Sequence, residues 1–308
     1  MTLAFDRPVP CDGYTWWYLD AVSDDSRHGL TLIAFIGSVF SPYYARARTR
    51  GRGDPLDHCA INVALYGPAS RWSMTERSRS AVSRDRDRLH IGPSRLSWDG
   101  RALAIEVREW AVPVPRRVRG HIQVHPIVVH GERLPLDPGG RHQWTPVAPS
   151  ARVEVTLQHP ALRWSGTGYL DYNAGTEPLE RGFHHWSWSR AATRRGPVVL
   201  YETQPTSGPT NALALHFDRD GRRHTMPAPP EAPLPRSRWG LSRSTRSEDG
   251  QARLVASWED TPFYSRSLVA ARMMGQPVTA VHESLSLRRF AAPWVQVMLP
   301  FRMPRRRG

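Results

Sequence analysis

"GYTWWYLDAVSDDSRHGLTLIAF" (residues 13–35) and "GFHHWSWSRAATRRGPVVLYE" (182–202) share one build. Each opens on a glycine, sets tryptophan into an aromatic run, passes a short polar turn and enters an apolar, β-branched strand, which places Trp17 against Trp186. A second pair behaves alike. "WDGRALAIEVREWAVPVPRRVRG" (98–120) and "EDGQARLVASWEDTPFYSRSLVA" (248–270) each give Asp-Gly, an alternating strand holding an acid and a tryptophan, a proline, and a second strand flanked by arginine. Self-similarity of this kind is the mark of a duplicated structural unit. The pairs predict two copies of one antiparallel β unit, divided as residues 1–165 and 166–308.

The remainder of the chain agrees with that class. "HCAINVALYG" (58–67), "GHIQVHPIVV" (120–129), "ARVEVTLQH" (151–159), "NALALHFDRDG" (211–221) and "RLVASWED" (253–260) alternate with period two or run through β-branched residues. Asp99-Gly100, Asp220-Gly221 and Asp249-Gly250 stand where type I′ hairpin turns are expected. Long 3.6-residue periods are missing, so helices should be few and short, with one turn over "TEPLERGFHHW". The predicted fold is all-β, with two tandem lipocalin-like antiparallel barrels, since barrels of about eight strands can hold one small ligand.

Composition bounds the function. The 308 residues suffice for two domains of ordinary size. A formal net charge of +14 suggests an anionic partner, but every one of the 42 basic residues is arginine, alongside abundant Pro, Gly and Ala, as a GC-rich genome produces. Arg46, Arg48, Arg50 and Arg52 read as a solvated loop, and with no recognisable module beside them nucleic acid is not expected as a partner. Cys11 and Cys59 are too few for a disulfide framework and read as free, buried thiols in a reducing compartment. The N-terminus has no signal-peptide pattern and no apolar run reaches the ~20 residues of a spanning helix, so a cytoplasmic location is expected.

Five segments, "GYTWWYLDAVSDDSRHGLTLIAFIGSVFSPYY" (13–44), "CAINVALYG" (59–67), "RWSMTER" (71–77), "HQWTPVAP" (142–149) and "GYLDYNAGTEPLERGFHHWSWSR" (168–190), together resemble the carotenoid 1,2-hydratases, or hydroxyneurosporene synthases. The resemblance runs from about residue 11 to about residue 300. It implies a two-domain lipocalin-like architecture and addition of water across the terminal C1–C2 double bond of an acyclic carotene. It also implies catalytic roles for Trp144, Tyr169 and Asp171. The chain starts about ten residues before the first motif, so no part is expected for the longer leader of some relatives.

The chemistry fits residues of these types. Hydrating an isolated trisubstituted alkene without a cofactor begins with a proton on the less substituted carbon and leaves a tertiary cation. Asp171 would have to be protonated near neutral pH, which burial among apolar groups favours. Tyr169 and Asp171, two apart on a strand, face the same side. Aromatic faces stabilise a cation without trapping it, giving Trp144, and with it Trp186, Trp188, Phe183 and Tyr172, a place in the substrate wall. Glu177 and Glu180 are the competing acids. Tandem Trp16 and Trp17 must face opposite sides, so one should close a barrel end. His184-His185 and "HIQVH" (121–125) lack a third ligand at metal-site spacing, and no GxSxG elbow appears, so neither metal nor a Ser-His-Asp triad is expected. A non-catalytic carrier of carotenoids or other polyisoprenoids remains the alternative. The apolar, arginine-ended "RFAAPWVQVMLPFRMPRRRG" (289–308) is either a last strand with a tail or a peripheral contact with the membrane surface. Oligomeric state is not legible.

Overall fold

A computed structural model describes residues 3–306. The first strands are β1 (Tyr14–Ser23), β2 (Gly29–Ile36), β3 (Cys59–Tyr66), β4 (Arg71–Arg77), β5 (Val82–Arg84) and β6 (Arg88–Ile91). They continue as β7 (Ser94–Trp98), β8 (Leu103–Trp110), β9 (Arg117–Pro126), β10 (Leu134–Pro135), β11 (His142–His159) and β12 (Leu162–Gly175). Then come β13 (Phe183–Thr193), β14 (Gly196–Pro205), β15 (Asn211–Phe217), β16 (Arg223–Thr225), β17 (Glu231–Leu234) and β18 (Arg243–Arg246). The last are β19 (Arg253–Asp260), β20 (Tyr264–Met273), β21 (Gln276–Ser286) and β22 (Arg305–Arg306). The α-helices are α1 (Pro42–Thr49), α2 (Leu179–Gly182), α3 (Leu287–Phe290) and α4 (Pro293–Arg302). The all-β, lipocalin-like class expected from the sequence holds, and α2 is the single turn expected after Thr176.

The chain forms two compact units. One comprises residues 1–135, 141–178 and 297–308, the other 136–140 and 179–296. The boundary expected between residues 165 and 166 falls inside β12. That strand pairs with β1 along one edge and β11 along the other, so it is held in the first unit.

In the first unit thirteen strands join one sheet, in the order β22-β4-β3-β2-β1-β12-β11-β9-β8-β7-β6-β5, with β10 attached to β11. The sheet curls: β4 approaches β8, and the Val112 N–H donates to the Trp72 carbonyl. Its concave side packs Trp17, Leu19, Leu32, Ile61, Leu103, Val124, Val155, Leu170 and Tyr172 into one apolar cluster. Trp17 belongs to this core, against Phe5 and Tyr172, whereas Trp16 points the other way and stacks on Tyr14.

The second unit orders its strands β16-β15-β14-β13-β21-β20-β19, with the β17–β18 hairpin separate. Ala191, Val198, Leu200, Val269, Val278 and Ala280 form its apolar core. The β1–β2 and β13–β14 hairpins hold equivalent places, each flanked on its outer side by a long late strand, β12 or β21. The second repeat pair does not. The β8–β9 hairpin stands two strands from β1, whereas β19–β20 stands one strand from β13.

Three local expectations change. The Asp-Gly pairs are not type I′ turns, because only the glycines (φ 93°, 81° and 67°) take positive φ. Asp99 instead accepts from the N–H groups of Arg101 and Ala102, an Asx-type closure. The first half of the arginine run, Arg46 and Arg48, lies in a helix, α1, capped by Ser41 with Pro42 in its first turn, and Arg48 is buried with its guanidinium over the Tyr44 ring. Of the two free thiols only Cys59 is buried; Cys11 is exposed.

Candidate active site

Cross-strand register collects the chemistry on one side of the first unit. Trp144 of β11 stands opposite Asn173 of β12, and Asn173 stands opposite Trp16 of β1. The next rows pair Asp171 with Tyr18 and Tyr169 with Asp20. Directly opposed residues of antiparallel strands share a face, so Tyr14, Trp16, Tyr18, Asp20, Trp144, Tyr169, Asp171 and Asn173 all project from the convex side. The core residues Trp17, Leu19, Leu170 and Tyr172 alternate with them on the concave side. The convex set is buried nonetheless; Asp20, Trp144 and Tyr169 are 0% exposed and Asp171 3%.

Proline sets the local path of β11. Its ladder to β12 slips between Thr145 and Ala148 and again between Ala148 and Ala151, stretches that contain Pro146 and Pro149. Proline has no N–H to donate, so it sits where a ladder breaks, and the resulting bulges turn the strand and re-aim its side chains. Trp144 thereby projects to the convex side while Val147, three residues on, enters the core.

Donors converge on one carboxylate. Trp144 Nε1 donates to Asp171 Oδ2 at 2.9 Å, the Tyr169 hydroxyl donates to the same oxygen at 3.0 Å, and Asn173 Nδ2 donates to Oδ1 at 3.1 Å. Trp144 Nε1 also lies 3.2 Å from the Tyr169 oxygen. Such donors stabilise the ionised form of a carboxylate, in opposition to its desolvation. The Tyr18 ring meets the Tyr169 ring edge-on at 6.2 Å, and Trp16 is flanked by Tyr14 and Phe35.

A second group lies at the end of the same face. The Tyr14 hydroxyl is 2.9 Å from His142 Nδ1, and His142 Nε2 is 3.4 Å from Glu177 Oε1, which also faces Arg141. Gly175 makes this packing attainable, because a Cβ there would lie 2.3 Å from the Tyr14 ring and 2.8 Å from His142 Nδ1.

The structure thus brings Trp144, Tyr169 and Asp171 together. Tyr172 goes to the opposite face, into the core beneath the Arg7 guanidinium. Phe183, Trp186 and Trp188 are in the second unit on β13, buried, with Trp186 between Phe183 (6.2 Å) and Tyr201 (5.3 Å). Of the competing acids, Glu177 pairs with His142 and Glu180 sits in α2 of the second unit. Sequence reasoning missed Tyr14, Trp16, Tyr18, Asp20 and Asn173. The signal was present as the period-two sets Tyr14-Trp16-Tyr18-Asp20 and Tyr169-Asp171-Asn173, each a single face of a strand. Among the described residues no group of three His, Cys, Asp or Glu is placed to hold a metal ion.

Comparison with known proteins gives these features a context. The chain is 57% identical over 304 residues to the acyclic carotenoid 1,2-hydratase of Thiocapsa roseopersicina, covering 98% of this chain and 75% of that protein. It is 50% identical over 307 residues to the enzyme of the same name from Rubrivivax gelatinosus, covering 98% and 76%. The crystal structure of an AttH-designated protein from Nitrosomonas europaea shares the fold, with a TM-score of 0.61 at 15% identity over 89% of this chain and 92% of that one. The family model for the carotenoid hydratase CrtC matches residues 32–308, and the chain belongs to that family.

Proposed function

We propose that this chain is an acyclic carotenoid 1,2-hydratase of the neurosporene and lycopene type, and that Asp171 supplies the proton. The observation that carries the reading is the buried carboxyl with Trp144 and Tyr169 on one oxygen and Asn173 on the other. Desolvation keeps the neutral acid accessible; the three donors stabilise the carboxylate as the proton leaves. The proton passes from the Asp171 carboxyl to C2 of the terminal double bond, and the π electrons form the new C–H bond. A tertiary cation is left at C1. Water attacks C1, its surplus proton returns to the Asp171 carboxylate, and a tertiary alcohol is released with the acid regenerated. The cycle balances without a cofactor.

Trp144 presents its N–H edge to Asp171, and Trp16 is stacked on Tyr14, so the Tyr18 ring, in the row of Asp171, is better disposed to face the cation. Such contacts are worth about 0.5–2 kcal/mol. Phe183, Trp186 and Trp188 are proposed substrate contacts by their aromatic character, and Trp186→Ala should raise KM more than it lowers kcat. A polyene of this kind is dissolved in a bilayer, which favours a cytoplasmic protein touching the inner or photosynthetic membrane from outside. Incubation with lycopene or neurosporene in detergent, followed by mass spectrometry, should show the gain of one water. Asp171→Asn should lower turnover by at least the ~10²–10⁴ of a lost general acid, while Glu177→Gln and Glu180→Gln retain hydration. Tight binding of lycopene with no hydrated product would turn the reading into that of a carrier.

A further inference from the structure

Helix α4 is apolar on two sides. Val295 and Leu299, four residues apart, are buried, as are Phe290 and Met303 beside its ends. Trp294, Val297, Met298 and Phe301 lie at positions i, i+3, i+4 and i+7, which is one stripe of a helix. All four are exposed, Val297 by 69% and Phe301 by 78%. Single exposed apolar side chains are ordinary; a contiguous stripe of four with an aromatic residue at each end marks an interaction surface.

The charge around the stripe identifies what it meets. From Leu287 to the end of the chain there is no Asp or Glu, and there are six arginines. Two of the described ones are committed, Arg289 to the carbonyl of Trp239 and Arg305 to Glu76 and Asp57. Arg302 and Arg306 are exposed, with the Arg302 guanidinium held 4.3 Å over the Trp72 ring. Arg307 lies outside the described residues. An apolar stripe in a segment that carries arginines and no acid suits an anionic bilayer surface, where the aromatic ends sit at headgroup depth and the arginines meet phosphates. Ten residues make a helix of about 15 Å, half of what a span requires, so α4 would lie in the plane of the interface.

We propose that the Trp294–Val297–Met298–Phe301 stripe of α4 docks this protein on an anionic lipid surface. The inference extends the hydration reading, since it puts the protein where an acyclic carotene is dissolved, but its test needs no turnover. Purified protein is sedimented with vesicles of phosphatidylcholine alone and of phosphatidylcholine with phosphatidylglycerol, at low and high salt. Binding should be strong to the mixed vesicles at low salt and should weaken as salt rises. Val297→Ser/Phe301→Ser should weaken it about tenfold or more, with the melting temperature unchanged because both side chains point into solvent. Equal binding by wild type and double variant overturns the proposal. So does a wild type that ignores both vesicle types yet sediments as a dimer that the double variant abolishes; the stripe would then bind a second copy of the chain. The double variant should hydrate lycopene in detergent micelles at the wild-type rate. Vesicle binding by a wild type that cannot hydrate lycopene would leave the docking intact and remove the hydratase reading.

Discussion

Replacing Trp144 by Phe tests whether the indole acts through its edge or its face. The substitution keeps an aromatic ring at a fully buried site but removes the N–H that reaches Asp171 Oδ2 at 2.9 Å and the Tyr169 oxygen at 3.2 Å. A hydrogen bond to a neutral group contributes about 0.5–1.5 kcal/mol and one to a charged group about 1.5–3 kcal/mol. Only the difference, about 1–1.5 kcal/mol, favours the step in which Asp171 becomes a carboxylate, so kcat should fall roughly five- to tenfold. Tyr169→Phe removes the other donor to the same oxygen and should cost about as much. The assay is single-turnover hydration of lycopene in detergent micelles, quantified by mass spectrometry, with Asp171→Asn as the lower limit. A rate for Trp144→Phe within twofold of wild type, beside an inactive Trp144→Ala, would refute the argument and return the ring face to the cation.

Further outcomes are expected elsewhere in the molecule. Asn173→Leu removes a donor to Asp171 Oδ1 and should slow hydration about tenfold, with folding spared as judged by circular dichroism. Gly175→Ala drives a methyl into Tyr14 and His142 and should destabilise the fold by about 1–3 kcal/mol, read as a lowered midpoint in urea. Burial of His282 pushes its pKa down to about 3. The unfolded chain therefore takes up a proton near pH 6.5 that the folded chain refuses, and stability falls as pH drops through that range, by about 2 kcal/mol between pH 7 and pH 5. His282→Asn should flatten this acid limb in denaturant titrations at the two pH values. Burial pushes the Cys59 thiol up to about 12 while Cys11 is exposed, so iodoacetamide should add one label to native protein and two in urea.

Alternation made the strands readable, and the two-residue spacing of Tyr169 and Asp171 already put them on one face. Their neighbours were harder to see because they come from pairings that no local period records. Tyr18 meets Asp171 only once β1 is aligned with a strand about 150 residues later, and Trp144 joins them only through β11. The aromatic character of the stretch also concealed a division of labour. Tyr172 and Trp17 build the core, whereas Tyr169, Asp171, Tyr18 and Trp16 line the opposite face, where the candidate site lies, and strand parity alone separates the two groups. Residues 289–308 suit a last strand with a tail as well as a membrane-facing segment by composition, because Val, Leu and Phe fit either; in the structure residues 293–302 are helix, with Val295 and Leu299 buried four residues apart.

The parallel pairing of β22 with β4 has a consequence for synthesis. Arg305 reaches His58, Glu76 and Asp57, and the Glu76 N–H is taken by the Pro304 carbonyl. Glu76 is 2% exposed, and a buried carboxylate deprived of its cation costs several kcal/mol. On a ribosome the strands around Glu76 emerge more than 200 residues before the arginine that neutralises it. The first unit is thus begun before the second and completed after it, and a chain that stops short of Arg305 leaves Glu76 without its arginine at an open sheet edge, the kind of surface that proteolytic surveillance removes.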